Sequence, residues 1–290
     1  MVVKDATKVR FINEEAAGIS HDYVTFSFGE NWKVYLSDLE ESTIRHAENS
    51  FTTFTKLGDL REHTFLDLGC GSGLNSLIAY RLGAQKIISV DIDPHSIDCV
   101  TNLRKRFASG ATNWQVVRGS VLDQNFVASL GAYSYVYSYG VLHHTGAMWK
   151  ALNHAVERVR MAGGILHLGI YNQHKNSRRW LKVKRVCNRF PRTALPAFKA
   201  SYILLTYAQL LSSFHSPAKY AQEYRTHRGM SVWRDIDDWF GGLPYEYAKP
   251  GHVVNFLADR GFVLLRLRDA GSIGCNEFLF RSEQSPDGHG

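Results

Sequence analysis

Residues 64–93 read TFLDLGCGSGLNSLIAYRLGAQKIISVDID. A short apolar run ends in three closely spaced glycines, Gly69, Gly71 and Gly73. The apolar stretch LNSLIAYRLGA follows, with Gly83 near its end, and KIISVDID is a second apolar run. That order is strand, tight turn, helix, strand, the unit from which parallel sheets are built.

Outward from this unit the alternation continues. PHSIDCVTNLRKRFAS reads as a helix with Pro94 in its first turn, where a missing N–H costs nothing. WQVVRGSVLD is a third strand, QNFVASLG a short helix, YSYVYSYGVL a fourth strand, AMWKALNHAVERVRM a helix and GGILHLGIYN a fifth strand. Near Pro250 the segment GHVVNFLADRG predicts a helix, FVLLRLRDA a strand, GSIG a turn and CNEFLFR a last strand. The expected architecture is α/β: a doubly wound, mainly parallel seven-stranded sheet closed by a C-terminal antiparallel hairpin. Upstream, LSDLEESTIRHAENSFTTFTKL predicts a helix capped by Ser37, and the aromatic-rich FSFGENWKVYL before it predicts a turn at Gly29. The expected division is an N-terminal helical lid over 1–60, a core over 61–172 and 229–281, a helical cap insertion over 173–228 and a flexible tail over 282–290.

Composition limits the function classes. In 290 residues, 44% are hydrophobic and 21% charged, which excludes a disordered, collagen-like or multi-span membrane chain. No stretch reaches the roughly 18 apolar residues of a spanning helix. The N-terminal MVVKDATKVRFINEE has no apolar core of a secretory signal. Cys70, Cys99, Cys187 and Cys275 stand singly, without a CxxC pair, so zinc and thioredoxin chemistry get little support. A reducing cytoplasm is the expected compartment. The net charge of +7 is uneven: between His174 and Arg228 twelve Lys/Arg face one acid, Glu223, so this stretch carries +11 and the remainder −4.

The glycine turn lies where an α/β sheet binds ligands, at the carboxyl ends of its strands. A dinucleotide fingerprint needs a glycine at position 74, which is Leu74, and a P-loop needs Gly-Lys-Ser/Thr, which Leu74-Asn75-Ser76 does not supply. The spacing is instead Asp-x-Gly-x-Gly-x-Gly from Asp67 to Gly73.

Glycine loop, spacing and the acid Asp91 ending the next strand together resemble motif I and the following acidic strand of class I S-adenosylmethionine-dependent methyltransferases. YSYGVLHHTGAMWKAL resembles the motif-IV region of their small-molecule, ubiquinone-biosynthesis-like branch, and FGENW, RGMS, DWFGGLPYE and GCNEFLF resemble a subfamily within it. The resemblance implies a Rossmann-like methyltransferase fold with S-adenosyl-L-methionine as cofactor and S-adenosyl-L-homocysteine as product. It implies that Gly69, Gly71 and Gly73 pass under the methionine part. Asp67 would orient the loop and help hold the ammonium, Asp91 would take the two ribose hydroxyls, and Ile92 would pack beside adenine. Ser120 stands where most members carry an adenine-binding Asp, with Val121 next to it, and Ser138 at the end of the fourth strand completes the expected cofactor set.

Methyl transfer to a hydroxyl or amine also requires loss of a proton, and histidine is the usual base. His144 is the expected base, with His143 packing or touching cofactor and Glu246 a second candidate; the competing reading is that both histidines are structural or cap the next helix. Trp32, Tyr171, Asn172, Tyr245 and Asn276 are the expected acceptor-binding residues, near Asp237, Asp238, Trp239 and Glu277; the competing reading is a surface loop. No metal-ligand spacing is present.

The insertion has three readings. It is a cap with its apolar face down and its cations in water, or an interfacial segment on an anionic membrane, or a nucleic-acid contact. The last is disfavoured because the fourth strand ends Ser138-Tyr139-Gly140-Val141, without the Asn/Asp-Pro-Pro-aromatic run of some base-amino methyltransferases. The expected function is methyl transfer to O or N of a small molecule. The alternatives are a tRNA/rRNA methyltransferase and a cofactor-binding relative that does not methylate. Oligomeric state is not legible.

Overall fold

A computed structural model describes residues 28–37, 39–160, 162–228, 236 and 239–283. Two helices come first, α1 (Phe28–Ser37) and α2 (Glu41–Thr55). Strand and helix then alternate through β1 (Thr64–Leu68), α3 (Leu74–Arg81), β2 (Lys86–Asp91), α4 (Pro94–Phe107), β3 (Trp114–Arg118), α5 (Gln124–Ser129), β4 (Tyr135–Tyr139), α6 (Met148–Val156) and β5 (Ile165–Tyr171). Three helices interrupt, α7 (Ser177–Arg189), α8 (Ala194–Ser212) and α9 (Pro217–Arg228). The chain closes with α10 (Pro250–Ala258), β6 (Phe262–Arg268) and β7 (Cys275–Ser282).

The seven strands lie in the order β3-β2-β1-β4-β5-β7-β6. The pairs among β1 to β5 are parallel, while β7 runs antiparallel to both β5 and β6. The order reverses between β1 and β4, so the loops after those strands open into the crevice of a doubly wound sheet. Because side chains alternate across a strand, β4 sends Tyr135 and Tyr137 to one face and Val136 to the other. The first face packs against α2, α3 and α4 through Phe51, Phe54, Leu77 and Val100. The second packs against α6 and α10 through Leu152, Ala155, Val253 and Leu257.

The N-terminal expectation needs correction. Phe28–Ser37 is helix, so there is no turn at Gly29, and Ser37 ends α1 instead of capping α2, whose N-cap is Glu40. The Gly29 N–H donates to Asp93 Oδ2 at 3.0 Å, which ties α1 to the start of α4. Tyr35, Leu39, Ile44 and Phe51 belong to the same buried cluster as the sheet, so α1 and α2 are part of its covering layer. Residues 1–27 of the expected lid, and 284–290 of the expected tail, lie outside the described residues; Ser282 still belongs to β7. The insertion is helical as expected, and α7 and α8 share a small separate core around Cys187, Ile236 and Phe240.

Candidate active site

The loop between β1 and α3 is set by backbone geometry. Gly69 (φ +80°), Gly71 (φ +53°) and Gly73 (φ +81°) all take left-handed conformations that L side chains rarely adopt. At Gly69 there is also no room, since a Cβ would lie 2.3 Å from Val141, which follows β4. At Gly71 a Cβ would lie 3.0 Å from the indole nitrogen of Trp32, so Trp32 of α1 covers the loop. The N–H groups of Gly69 and Cys70 donate to the Val90 carbonyl at 2.7 and 2.9 Å, fixing the loop beside the end of β2.

Two carboxylates flank this loop. Asp91 accepts from the N–H of Gly71 at 2.9 Å through Oδ2 and from the N–H of Asp93 at 2.9 Å through Oδ1. Each oxygen keeps acceptor capacity for one further donor. Burial raises the Asp91 pKa, opposed by these backbone donors. Asp67 is enclosed: Ser76 of α3 donates to its Oδ2 at 2.6 Å, and Ser76, Ser89 and the indole N–H of Trp114 continue the chain at 2.6 and 2.8 Å. Burial pushes Asp67 up to about 7. Its grip on α3 suits the expected orienting role. With its surface covered, it does not present a carboxylate to an ammonium in this conformation.

Beyond β2, the Ile92 side chain is 53% exposed, an apolar surface beside the loop. Ser120 Oγ accepts from the Leu122 N–H at 3.1 Å and organises the turn after β3. The Val121 carbonyl bonds His154 Nδ1 at 2.8 Å. Ser138 is corrected as a side-chain contact: it is fully buried and its hydroxyl donates to the Leu68 carbonyl at 2.8 Å, bracing β4 on β1.

The segment after β4 brings the two histidines together, with ring centres 4.6 Å apart. His144 Nδ1 lies 2.6 Å from the Pro244 carbonyl, which can only accept, so Nδ1 carries the proton and Nε2 holds the lone pair. Burial, and then the charge of Lys184, lower the His144 pKa to about 3. His143 is completely buried and accepts the Tyr171 N–H on Nδ1 at 3.2 Å, with its ring 3.9 Å from that of Tyr171. It therefore positions the end of β5 and touches no surface. The Tyr171 ring in turn meets that of Tyr245 at a tilt, centres 5.2 Å apart, and burial pushes the Tyr245 phenol up to about 12.

Three expected residues are occupied elsewhere. Glu246 Oε2 accepts the N–H of Met148 at 3.0 Å, so this carboxylate caps α6, whose first-turn donors need an acceptor. Asn172 Nδ2 donates to the Ser272 carbonyl at 3.0 Å. Asn276 Oδ1, fully buried, accepts from Ala270 at 2.9 Å, so both asparagines hold the turn before β7. Asp237 and Asp238 lie outside the described residues.

The sequence reading missed two features. Lys184 is read as one of a row of solvated cations, yet it is fully buried, with Nζ 5.1 Å from the centre of the Tyr245 ring. It sits on the inner face of α7 with Ser177 and Cys187, a face that helical spacing alone identifies. The second is a cavity of about 330 Å³ under α2, lined among others by Tyr35, Phe51, Asn75, Tyr137, Tyr139 and Glu277. On its wall His167 Nδ1 bonds the hydroxyl of Tyr135 behind it at 2.8 Å, His167 Nε2 bonds Glu277 at 2.9 Å, and Arg268 pairs with the other Glu277 oxygen at 3.0 Å. None of the five expected acceptor-binding residues lines this cavity.

With this geometry in view, residues 65–164 match the family model described as a methyltransferase domain. The chain carries a class I methyltransferase domain. The domain also resembles solved structures of low identity. Magnesium protoporphyrin IX methyltransferase from Synechocystis PCC 6803, solved with bound SAH, is 13% identical over 88% of this chain and 94% of its own, with a TM-score of 0.52. An O-methyltransferase family protein from Burkholderia thailandensis is 15% identical over 84% of this chain and 58% of its own, also at 0.52. A ribosomal protein L11 methyltransferase of Colwellia psychrerythraea is 54% identical over 39 residues. That match spans only 13% of either chain. Within the methyltransferase domain lie the glycine loop, Asp91 and both histidines; Lys184, Tyr245 and the cavity's Arg268 and Glu277 lie beyond it.

Proposed function

We propose that this chain transfers a methyl group from S-adenosylmethionine to an oxygen or nitrogen atom of a small-molecule acceptor. The observation that carries this reading is the contact of Gly71 with Asp91, which sets a left-handed glycine loop beside a carboxylate with acceptor capacity on both oxygens. Those residues fit the cofactor. Asp91 would accept from the ribose hydroxyls, Ile92 would lie against adenine, and the loop under Trp32 would hold the amino-acid end. When bound, the cofactor supplies an electrophilic methyl group on a sulfonium.

The chain's own part is alignment and proton removal. The cavity beside Tyr139 is of the size that takes small ligands. Its rings suit a planar acceptor, and the Arg268–Glu277 pair supplies polar contacts. His144 is neutral and holds a lone pair on Nε2; it does not line this cavity, so the acceptor would extend past Tyr139 at the end of β4 to reach it. With a pKa of about 3 it orients a neutral hydroxyl without deprotonating it. An oxygen that is gaining a methyl group while keeping its proton is a far stronger acid than imidazolium, so the proton then passes from that oxygen to Nε2.

A second reading, a protein acceptor, is favoured by the short stretch similar to ribosomal protein L11 methyltransferases. Incubation with methyl-labelled cofactor separates the two. The proposal expects label in small hydroxylated or amino acceptors. Label in ribosomal protein L11 or in tRNA, with none in small molecules, contradicts it. Absence of transfer to every acceptor despite cofactor binding favours a relative that does not methylate.

A further inference from the structure

We infer that the α7–α8 pair is a docking surface for an anionic lipid bilayer, an inference independent of the methyltransferase reading. Its first support is α8 itself. This helix runs for 19 residues as ALPAFKASYILLTYAQLLS, carries a single charged residue, Lys199, and has no buried residue. Leu204 and Leu205 are each 70% exposed, Leu211 is 64% exposed, and Phe214 just past the helix is fully exposed. Leu204, Ala208 and Leu211 recur at helical spacing, so they form one stripe with Leu205 beside it. An apolar stripe left in water marks an interaction site.

The second support is charge. Arg178, Lys182, Arg185 and Arg189 follow one another at spacings of four, three and four along α7 and are all exposed, forming a basic stripe opposite the buried face that carries Lys184 and Cys187. From residue 158 to residue 222 the sequence holds no Asp or Glu. The stripe is thus not neutralised from its own neighbourhood in sequence. Exposed val and aromatic side chains, Val186 and Phe190, lie beside it.

Together these features select the occupant. Basic and apolar stripes on adjoining helices fit a surface that offers anionic headgroups above acyl chains. Nucleic acid would meet the cations but leave the leucines in water. A second copy joined through the same patch would bring two basic stripes together with no carboxylate of α7 or α8 between them. No helix among the described residues is long and apolar enough to cross a membrane, so the contact is with the interface.

The test is flotation of the full chain with phosphatidylcholine vesicles, with and without about 30% phosphatidylglycerol, since each basic residue near an anionic surface strengthens binding about fivefold. The inference expects flotation with the anionic vesicles only, weakened at about 0.5 M salt where screening is strong. Arg178→Gln with Lys182→Gln lowers partition by about tenfold or more. Leu204→Ser with Leu205→Ser lowers it similarly, while the circular dichroism melt of each variant stays that of the wild type. Failure to float with anionic vesicles overturns the inference. So does equal binding to neutral vesicles, or flotation untouched in both folded variants. Tighter binding to tRNA than to anionic vesicles, or a dimer in sedimentation that Leu204→Ser dissociates without any vesicle binding, likewise overturns it.

Discussion

Lys184 and Tyr245 meet inside the protein, the ammonium 5.1 Å from the ring centre and both side chains buried. A lysine withdrawn from water is costly, and the negative face of a phenol ring recovers part of that cost. Its charge also acts on the histidines after β4, depressing both His143 and His144. The helix that looks like a solvated basic cap therefore reaches into the site from outside the methyltransferase domain.

Removing that charge has a definite sign. In Lys184→Met the His144 pKa rises from about 3, because the imidazolium no longer faces a nearby cation. Histidine resonances followed by NMR against pH give the value. An unchanged His144 titration in a folded variant would show that Lys184 does not set it.

The same histidine makes stability depend on pH. Between about 3 and its ordinary value of 6.5, His144 binds a proton when unfolded and not when folded. Stability contributed this way is complete above 6.5 and is lost as the pH falls, with a slope of at most about 1.4 kcal/mol per pH unit. His144→Gln should flatten denaturant-derived stability in that window by as much as one proton. An identical pH profile for variant and wild type would contradict a His144 held neutral in the folded protein.

Asp67 carries the opposite sign. Raised from 3.8 to about 7, it binds a proton in the folded state across that window, so it withdraws stability as the pH rises from 3.8 to 7. Asp67→Asn should gain stability relative to the wild type between pH 4 and pH 8, measured by urea unfolding. A relative stability that falls over that range would mean that Asp67 ionises readily in place.

How much of this was legible in the sequence depends on whether local pattern decided the structure. The β1–α3–β2 unit follows from apolar runs and glycine turns that act within a few residues of one another, and from Asp91, which stands 20 residues beyond Gly71 at the end of the adjoining strand. The antiparallel hairpin of β6 and β7 was legible for the same reason. The start of the chain was not: Gly29 reads as a turn, but its N–H is held by Asp93 on a distant helix, and packing against α4 keeps Phe28–Ser37 helical. Glu246 looked like a base because it lies among polar and aromatic residues in a Gly/Pro-punctuated segment suited to a polar acceptor. Its partner is the α6 N-terminus, 98 residues away. Lys184 was lost in a count of charges, because counting ignores which face of a helix each charge occupies.

Gly69 tests the packing of the loop. Gly69→Ala places a methyl group against Val141 in a left-handed backbone, and should cost about 2–4 kcal/mol. Adding Val141→Ala removes the two nearest methyl groups but leaves the residue's Cβ 2.7 Å from the new methyl and the backbone strain in place, so it should restore only part of the loss. Thermal unfolding of the single and double variants measures both. A Gly69→Ala protein as stable as the wild type would mean that the loop adopts another conformation.

The central claim is that the Gly71–Asp91 contact frames a nucleoside site. Calorimetric titration of the purified chain with S-adenosylhomocysteine, beside Asp91→Ala, tests it most directly. The account predicts micromolar binding by the wild type and loss of at least about tenfold in affinity in the variant, the scale of a charge-assisted hydrogen bond. Equal affinity in the two folded proteins, or no binding by a wild type shown to be free of co-purified ligand, would contradict it.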